Sequence, residues 1–460
     1  MPFPDNEVLD KILRSMNDYE GPVSQETLCN HLKTPPYHTI IRVNTLVTSK
    51  EILKDDIEKA LAVQYGLKGV PPPIVQFHSK IDDILVVECN QITEKVEPVY
   101  PHVMVGLACA VAVLRGANVY APGVTAIPSG VRIGDRVSVF ADILGQCKRG
   151  WNSEYHGQKS FVGNGLLVQS RKDLFRVAVP SGLAINMIEP LFDCPSIGDI
   201  LHEDAIGGIQ KGFLQNLPSV LCGHAINPQP HHLVLDLCAA PGGKTTHIGC
   251  LMQNKGKVIA LDKSVAKIQR IQENSTKLGL TNITAFAFDS IKAYIEIPEN
   301  QLRGIDMVPP IPESPPFHPY TFDRVLLDAP CSALGQRPQL YNPIRLKEVQ
   351  SFARLQKKLF VAAVQLLKPG GRLVYSTCTY NVSENEEIID WALGKFPILR
   401  VVSPDIKLGN PGYRVGRLTE EDCIAMQRFG CPASCGSGNE NSDSIGFFIC
   451  CLESMVSKSV

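Results

Sequence analysis

The chain has 460 residues, of which 44% are hydrophobic and 20% are charged, and its formal net charge is −1. This length and composition are typical of a globular protein with two or three domains. The net charge excludes nucleic-acid binding through a strong overall positive charge, so any such binding has to rest on local patches. No apolar run is long enough to cross a bilayer, so we expect a cytoplasmic protein without a membrane partner.

The 15 cysteines are scattered along the chain, and none of them form a Cys-x-x-Cys pair. This pattern argues against a disulfide framework and against a structural zinc site. We therefore expect free thiols and no bound metal, with most cysteines serving as small buried hydrophobic residues.

The first part of the chain, residues 1–104, mixes helical and strand-like patterns. Apolar spacing predicts amphipathic helices and short strands that follow one another along this part. The predicted helices cover residues 5–16, 25–32 and 49–61, and the predicted strands cover residues 39–45 and 83–87. The sequence therefore predicts a small α+β module.

Residues 105–197 differ, because short strand-like runs are separated by glycines, and this spacing favours a small β-barrel. The region carries 9 Lys and Arg residues against 6 Asp and Glu residues. Cations, an amide and an aromatic residue cluster in two of its turns, at Arg115, Asn118, Tyr120, Lys148 and Arg149. Such a grouping suits single-stranded RNA, and the alternative is a solvated loop beside a tyrosine of the core.

The last part, residues 198–460, contains five short apolar runs that end in polar or reactive residues. The runs cover residues 233–237, 257–262, 283–289, 323–331 and 372–378. Helical patterns cover residues 212–226, 264–278 and 346–367, and residues 298–319 and 432–444 have the composition of loops. Buried strands that alternate with helices predict an α/β fold with a doubly wound, Rossmann-like parallel sheet.

The carboxyl ends of parallel strands meet at one edge of a sheet, where α/β folds bind their ligands. The polar and reactive residues at those ends are Asp262, Asp289, Asp328, Cys331 and Cys378. Gly242 and Gly243 follow the first strand and open a helical pattern. Glycines let the backbone approach a ligand and a helix start offers free N–H groups, so the sequence predicts a nucleotide-type site.

Three motifs in this region resemble those of the Nol/Nop/Sun family of RNA cytosine-5 methyltransferases, which use S-adenosylmethionine. They are Asp-Leu-Cys-Ala-Ala-Pro-Gly-Gly-Lys at 236–244, Asp-Ala-Pro-Cys-Ser at 328–332 and Tyr-Ser-Thr-Cys-Thr at 375–379. The resemblance covers residues 36–98 and the chain from residue 190 onward, while residues 105–197 resemble a PUA domain, an RNA-binding barrel. It implies an α/β protein with three parts: the first part of an α+β RNA-binding module (1–104), an inserted PUA β-barrel (105–197) and a Rossmann-like, S-adenosylmethionine-dependent methyltransferase domain (198–460).

Carbon 5 of cytosine is too electron-poor to take a methyl group until a thiolate has added to carbon 6, so the reaction needs a nucleophilic cysteine. The resemblance implies that Cys378 is this nucleophile and that Cys331 assists release of the methylated base. It also implies that Asp328 bonds ring nitrogen 3 and the exocyclic amine, and that Lys244 orients Asp328 or lowers the pKa of a thiol. For each cysteine taken singly, a buried structural role is the alternative.

The resemblance further implies how S-adenosylmethionine is held. The turn after the first strand holds its methionine part, Asp262 its ribose hydroxyls and Asp289 its adenine amine, with a helix cap as the alternative for Asp262. The complete set of cofactor-binding candidates is Cys238, Ala239, Ala240, Pro241, Gly242, Gly243, Lys244, Asp262, Asp289 and Asp328. Ala333 stands where the family usually has glycine, and we expect it to stiffen the loop behind Cys331.

The RNA-binding candidates are Arg42, Arg115, Asn118, Tyr120, Lys148 and Arg149. Arg42 stands in Arg-Val-Asn-Thr, which is similar to the N-terminal module of the family, so it is a candidate for phosphate contact, with a surface-strand arginine as the alternative. The architecture resembles the tRNA-directed member that acts on the acceptor stem near the 3′ CCA end, and we expect a monomer. Two interpretations stay open beside it: a methyltransferase of ribosomal or messenger RNA, and an RNA-binding scaffold without turnover.

Overall fold

In a computed structural model the described residues form three β-sheets, of which the second is inserted between strands of the first. The structure describes residues 5–19, 22–66, 69–89, 95–203, 207–296, 312–430, 432 and 443–455. Within these ranges no helix is both long and apolar enough to span a membrane. The two predicted loops, residues 298–319 and 432–444, lie for the most part outside the described residues.

The N-terminal module begins with two helices and continues with a four-stranded antiparallel sheet. The helices are α1 (Asn6–Tyr19), α2 (Gln25–Lys33) and α3 (Lys50–Gly66), and the strands are β1 (His38–Val43), β2 (Val75–Phe77), β3 (Ile84–Glu88) and β10 (Gly212–Leu214). The strand order is β10-β1-β3-β2. Helix α3 packs its buried leucines and isoleucine on one face of this sheet, so the predicted α+β module is present.

The predicted boundary at residue 198 needs correction, because the chain returns to the N-terminal module after residue 190. Leu214 of β10 pairs with Ile41 of β1, and helix α6 (Ile197–Glu203) packs Ile197 into the same apolar core. The predicted helix over residues 212–226 is likewise divided into β10 and helix α7 (Leu217–Ala225). The edge of β1 supplies hydrogen-bond partners to β10, and local apolar spacing cannot reveal such a partner.

The inserted region forms a six-stranded sheet with its own apolar core. Its strands are β4 (His102–Val105), β5 (Val119–Tyr120), β6 (Val124–Ala126), β7 (Arg136–Asp142), β8 (Lys159–Leu167) and β9 (Leu183–Pro190), and its helices are α4 (Leu107–Val113) and α5 (Arg171–Phe175). The strand order is β5-β9-β8-β7-β4-β6. The predicted β-rich insertion is therefore present, although it begins at β4, slightly before residue 105.

The catalytic sheet has eight strands covered by helices. Its strands are β11 (Leu233–Asp236), β12 (Lys257–Asp262), β13 (Ile283–Ala287), β14 (Phe322–Asp328), β15 (Leu367–Thr377), β16 (Leu399–Val402), β17 (Gln427–Phe429) and β18 (Phe447–Ser454). Its further helices are α8 (Gly243–Leu251), α9 (Val265–Lys277), α10 (Leu346–Leu366), α11 (Glu386–Lys395) and α12 (Glu420–Ala425).

Strand order in this sheet fixes where a ligand site can form. The order β13-β12-β11-β14-β15 is parallel throughout, and β18 joins β15 antiparallel. From β11 the chain winds outward to β13 on one side, and it then crosses to β14 on the other side. The loops after β11 and β14 therefore separate and leave a crevice at the carboxyl edge, as in other doubly wound sheets.

The loop after β14 is held by both neighbouring regions. Leu334 packs with residues of α1 and α2, and the buried Arg337 donates to the carbonyl oxygen of His31 at 2.9 Å. Farther along, Leu340 and Tyr341 pack against the core of the inserted sheet. The three parts of the chain therefore meet at this loop.

Candidate active site

The turn after β11 is organised by the buried carboxylate of Asp236. The Cys238 backbone N–H donates to Asp236 Oδ1 at 3.3 Å, and the Thr245 hydroxyl donates to Oδ2 at 2.7 Å. Burial raises the pKa of Asp236 to about 7. Asp236 therefore ties the end of the strand to the first turn of α8, and it fixes the path of the residues between them.

Gly242 is required by this turn. Its φ is +102°, in the left-handed region that glycine adopts without strain, and a Cβ there would lie 3.2 Å from the Cα of Ile271. The turn therefore approaches α9 closely, and α8 starts at Gly243 with free N–H groups at the crevice.

A cavity of about 370 Å³ lies in front of this turn. It is lined by Asp236, Cys238, Ala239, Ala240, Pro241, Gly243, Lys244 and Asp328 of the catalytic sheet, by Phe213 to Leu217 of the N-terminal module, and by Arg115 of the inserted sheet, among others. Backbone turn, helix start and carboxylates together fit the methionine part and the charged groups of S-adenosylmethionine. Most of the predicted cofactor turn therefore faces one cavity.

Asp262 and Asp289 stand at the ends of the next two strands, but they do not line this cavity. Asp262 Oδ1 accepts the Ser264 backbone N–H at 3.1 Å, which is the helix-cap contact considered as its alternative, and Asp289 Oδ1 accepts the Ile291 N–H at 3.3 Å. The second oxygen of each carboxylate lies 3.5 to 3.6 Å from an exposed lysine. Their contact with a cofactor stays a prediction.

A buried ion pair joins the turn to β14. The Lys244 Nζ lies 2.7 Å from Asp328 Oδ2, and the Ser376 hydroxyl donates to Asp328 Oδ1 at 2.7 Å. Burial alone would lower the pKa of Lys244, but the attraction of Asp328 outweighs it and the pKa is raised. Lys244 is therefore a fixed cation beside Asp328, and its part in the reaction stays a prediction.

The two candidate thiols face each other. Strands β14 and β15 are parallel neighbours with Asp328 opposite Ser376, so Cys331 and Cys378 follow at the same edge, and their sulfur atoms are 3.4 Å apart. Either thiol could donate at this distance, but the hydrogen bond between them lowers the pKa of Cys378 and raises the pKa of Cys331, so we assign Cys331 as the donor. Cys378 is thus the more readily ionised member of the pair, which favours it as the nucleophile.

The loops that carry the two thiols are tied together. The Gly335 N–H donates to the Cys378 carbonyl oxygen at 3.0 Å, and the hydroxyls of Ser332 and Thr379 are 2.9 Å apart. Ala333 has a φ of +55°, a left-handed conformation that costs a residue with a Cβ about 1 kcal/mol. The backbone at Ala333 is therefore strained, while the predicted stiffening of this loop stays a prediction.

Arg42 requires a correction. Its side chain is buried, and its guanidinium donates to Gln215 Oε1 at 2.6 Å and to the Gly243 carbonyl oxygen at 2.6 Å. It also lies over the ring of Phe213. Arg42 therefore connects the N-terminal sheet to the start of α8. Both predicted roles, contact with an RNA phosphate and a surface-strand arginine, are wrong.

The candidates of the inserted sheet separate into two groups. Asn118 Oδ1 accepts the Met187 N–H at 2.9 Å, and Arg149 donates to the carbonyl oxygens of Val124 and Leu174, both at 2.9 Å. These side chains hold the backbone of their own sheet, so they are poor candidates for RNA contact.

Arg115, Tyr120 and Lys148 are exposed. Arg115 donates to the carbonyl oxygen of Arg337 in the loop after β14 and also lines the cavity. One candidate cation of the inserted sheet therefore lies at the catalytic crevice.

Sequence reasoning missed Asp236 and Ser376 as site residues. Both stand inside the quoted motifs, and both occupy the last position of a strand or the one before it. Their position at a strand end was the same signal that selected Asp262 and Asp328.

A further polar cluster joins the N-terminal module to the helices behind the turn. Nε2 of His224 and Nε2 of His247 each lie 2.8 Å from one oxygen of Asp83. These are hydrogen-bond distances, so the three residues form a connected polar bridge without need of an ion. The absence of a metal stays a prediction.

Comparison with known proteins places these features in a family. A family model described as 16S rRNA methyltransferase RsmB/F matches residues 223–411. The human tRNA (cytosine(72)-C(5))-methyltransferase NSUN6 is 42% identical over 457 residues, which cover 95% of this chain and 93% of that protein. The rRNA (cytosine-C(5))-methyltransferase NOP2C of Arabidopsis thaliana is 32% identical, with 86% of this chain and 81% of that protein covered.

A solved structure agrees with the architecture. The crystal structure of NSun6 from Pyrococcus horikoshii with SFG, an analogue of S-adenosylmethionine, matches with a TM-score of 0.71 at 27% identity. The match covers 98% of each chain, so it includes all three sheets.

Proposed function

This chain belongs to the Nol/Nop/Sun family of S-adenosylmethionine-dependent RNA cytosine-5 methyltransferases, in its NSUN6 type, and from this premise we propose that it methylates a cytosine in the acceptor stem of a tRNA, near the 3′ CCA end. The observation that carries the proposal is the pair of thiols, Cys331 and Cys378, whose sulfurs are 3.4 Å apart beside the Lys244–Asp328 ion pair. The name of the 42% identical human relative supports a tRNA substrate.

Methylation begins with addition of the Cys378 thiolate to carbon 6 of the cytosine. The lowered pKa of Cys378 makes that thiolate available. In this proposal Asp328 brings a proton that passes to ring nitrogen 3 as sulfur adds, and it takes this proton back on release. The carboxylate, held by Lys244 and Ser376, meanwhile accepts a hydrogen bond from the exocyclic amine. Carbon 5 then becomes nucleophilic, and S-adenosylmethionine supplies the methyl group that it takes.

Release of the product reverses the addition. The proton on carbon 5 leaves to a base, the electron pair of that bond forms the 5,6 double bond, and the electron pair of the carbon–sulfur bond returns to Sγ of Cys378. Cys331 assists this step, because its thiol donates a hydrogen bond to the departing sulfur. Loss of Cys331 is then expected to trap the covalent RNA adduct.

The cofactor assignment follows the lining of the cavity. The turn from Cys238 to Lys244 holds the methionine part of S-adenosylmethionine. In this proposal Asp262 takes the ribose hydroxyls and Asp289 the adenine amine, each with the carboxylate oxygen that does not cap the backbone. Displacement of the exposed lysines Lys263 and Lys267 from these oxygens accompanies binding.

The RNA assignment rests on the inserted sheet, which in this proposal is a PUA domain that takes the single-stranded CCA end. Exposed Tyr120 and Lys148 provide a stacking surface and a cation for this purpose. Arg115 supports a path from the inserted sheet to the cofactor turn, because it lines the same cavity as Lys244 and Asp328. Asn118, Arg149 and Arg42 have no part in it, since their side chains hold protein backbone.

Single-turnover methylation of tRNA transcripts with and without the CCA end tests the substrate. We expect at least about a fivefold slower reaction without CCA, because loss of a stacked, phosphate-contacting end removes one or more contacts of about 1 kcal/mol or larger. Equal rates on both transcripts would contradict recognition of the CCA end.

Adduct trapping tests the thiols. With S-adenosylmethionine and tRNA, the Cys331→Ala variant is expected to accumulate a protein–RNA adduct that resists denaturing electrophoresis, and Cys378→Ala to form none. If Cys378→Ala forms the adduct, the roles of the two cysteines are reversed. If neither variant forms an adduct, the result favours an RNA-binding scaffold without turnover. Sedimentation at the same concentrations checks the expected monomer.

One observation favours a second candidate substrate. The Arabidopsis relative, at 32% identity over most of both chains, is named as an rRNA methyltransferase. Methylation of a ribosomal RNA fragment faster than that of tRNA would support this alternative over the proposed one.

A further inference from the structure

A buried glutamate behind the thiols collects hydrogen bonds from the loop that carries Cys331. Glu384 lies in the 3₁₀ turn Val382–Glu384 and is fully buried. Its Oε2 accepts the Ser332 backbone N–H at 2.9 Å, and its Oε1 accepts the Ser332 hydroxyl at 2.5 Å and the Asn381 amide at 2.8 Å. Two of these three donors belong to the residue directly after Cys331.

The other side of Cys331 is held by Gln356, a buried amide in the middle of the apolar face of α10. Its Nε2 donates to the carbonyl oxygen of Pro330 at 3.0 Å and to Glu384 Oε2 at 3.1 Å. Its own side-chain oxygen is buried and has no hydrogen-bond partner among the described residues. Such an arrangement costs stability, so the amide is explained by its two donated bonds and not by packing.

Glu384 also contributes charge at this position. Among the described residues no lysine or arginine forms an ion pair with it, and burial raises its pKa. Donation to Cys378 and burial raise the pKa of Cys331, and the negative potential of Glu384 adds to that rise. The hydrogen-bond network and the charge therefore act in the same direction on one sulfur atom.

We infer that Glu384 and Gln356 are positioning residues for the release step, which hold Cys331 as a thiol that donates to the sulfur of Cys378. This inference rests on the proposed roles of the two cysteines and names the groups that make the release role possible. Neither residue touches the thiols themselves, and both act through Pro330 and Ser332.

The Glu384→Gln variant separates this role from a general structural one. The glutamine side chain has one acceptor oxygen in place of the two of glutamate, so it cannot accept all four hydrogen bonds that Glu384 accepts. Its NH₂ group would also point at groups that are themselves donors. We expect release to slow by roughly tenfold or more, because at least one bond to a charged group is lost. Adduct formation by Cys378 is expected to change less than about threefold, so the variant accumulates adduct as Cys331→Ala does.

A second readout needs no RNA. Alkylation of Cys331 by iodoacetamide is followed against pH by peptide-resolved mass spectrometry in a Cys378→Ala background. Loss of the Glu384 charge is expected to move the midpoint for Cys331 down by about one pH unit. A residue that only stabilised the fold would leave this midpoint in place.

The Glu386→Gln variant is the matched control. Glu386 is equally buried and stands two residues later, but its carboxylate pairs with Arg428 and not with the Cys331 loop. It is expected to lower the melting temperature without adduct accumulation and without a shift of the alkylation midpoint. Gln356→Met, which keeps the volume and removes both donated bonds, serves as a second variant if Glu384→Gln does not fold.

The outcomes distinguish the inference from the proposed function. If Cys331→Ala itself accumulates no adduct, the assigned roles of the cysteines fail. The positioning role is overturned if Cys331→Ala accumulates adduct while Glu384→Gln and Gln356→Met both fold and accumulate none. Addition of Glu384→Gln to Cys331→Ala is expected to slow release no further, and a full additional decrease would also overturn it.

Discussion

The carboxyl edge of the catalytic sheet and the turns of the inserted sheet both carry charged residues, yet they use them differently. At the catalytic edge, Lys244 and Asp328 pair with each other and face a cavity. In the inserted sheet, Arg149 and Arg171 turn back and donate to carbonyl oxygens of their own backbone. Parallel strands end together and so bring side chains to one place, whereas a turn has no such constraint on where its cations point.

The strongest test of this comparison removes the cation of the catalytic edge. Lys244→Met leaves Asp328 without its partner and removes a positive charge near Cys378, so we expect single-turnover methylation to fall about 10²- to 10³-fold. The matched change in the inserted sheet, Arg171→Met, is expected to lower the melting temperature while the methylation rate stays within about threefold at a temperature where both fold. Equal rate losses in the two variants would remove the distinction between the two regions.

Thiol reactivity compares the same two regions. Burial raises the pKa of Cys109 in the inserted sheet to about 11, while the hydrogen bond from Cys331 lowers that of Cys378. Because only the thiolate reacts, iodoacetamide at pH 7.5 is expected to modify Cys378 at least about a hundredfold faster than Cys109. As the pH falls toward 6, Cys378 keeps more of its reactivity than a thiol of ordinary pKa does. Peptide mapping by mass spectrometry measures both rates, and comparable rates would show that the thiol pair does not activate Cys378.

Two neighbouring cations sharpen the comparison within the inserted sheet. Lys148→Met is expected to weaken tRNA binding a few-fold and to reduce its salt slope by about one, with an unchanged melting temperature. Arg149→Met is expected to cost about 1 kcal/mol of stability, because it loses backbone bonds, with an unchanged salt slope. Binding titrations at several salt concentrations and thermal melts measure both effects. The reverse pattern would mean that Arg149 meets the RNA and Lys148 does not.

The smallest expected effect concerns the strained residue behind Cys331. Ala333→Gly relieves a left-handed backbone conformation but adds flexibility to the unfolded chain, so a net gain of up to about 0.6 kcal/mol in the free energy of unfolding is expected. Urea denaturation measures it, and Ala117→Gly in the inserted sheet is a control at a site without positive φ. A loss of stability in Ala333→Gly would mean that the loop is not strained.

Much of the fold and of the site could be predicted because short-range rules decide them. Apolar runs and glycine turns identified the strands β11 to β15, and parallel pairing alone brings Asp328, Cys331 and Cys378 to one edge. The predicted helix over residues 346–367 agrees with α10 within one residue. Motif residues that end strands can therefore be assigned to a common site without coordinates.

Long-range partners could not be predicted in the same way. Arg42 was expected at a surface, but Gln215 and Gly243, far along the chain, bury it. Residues 212–214 form a strand because β1 lies beside them, although their own pattern is helical. Glu384 and Gln356 gave no signal at all, since one looks like a residue at a helix start and the other like an ordinary position of a helix.

The sequence by itself determined which residues carry the chemistry and at which edge they meet, because strand direction and strand ends are local properties of the chain. Tertiary structure alone decided which polar side chains face a ligand and which hold protein backbone. That choice depends on hydrogen-bond partners brought close by folding, and a buried donor or acceptor takes whichever partner the fold supplies.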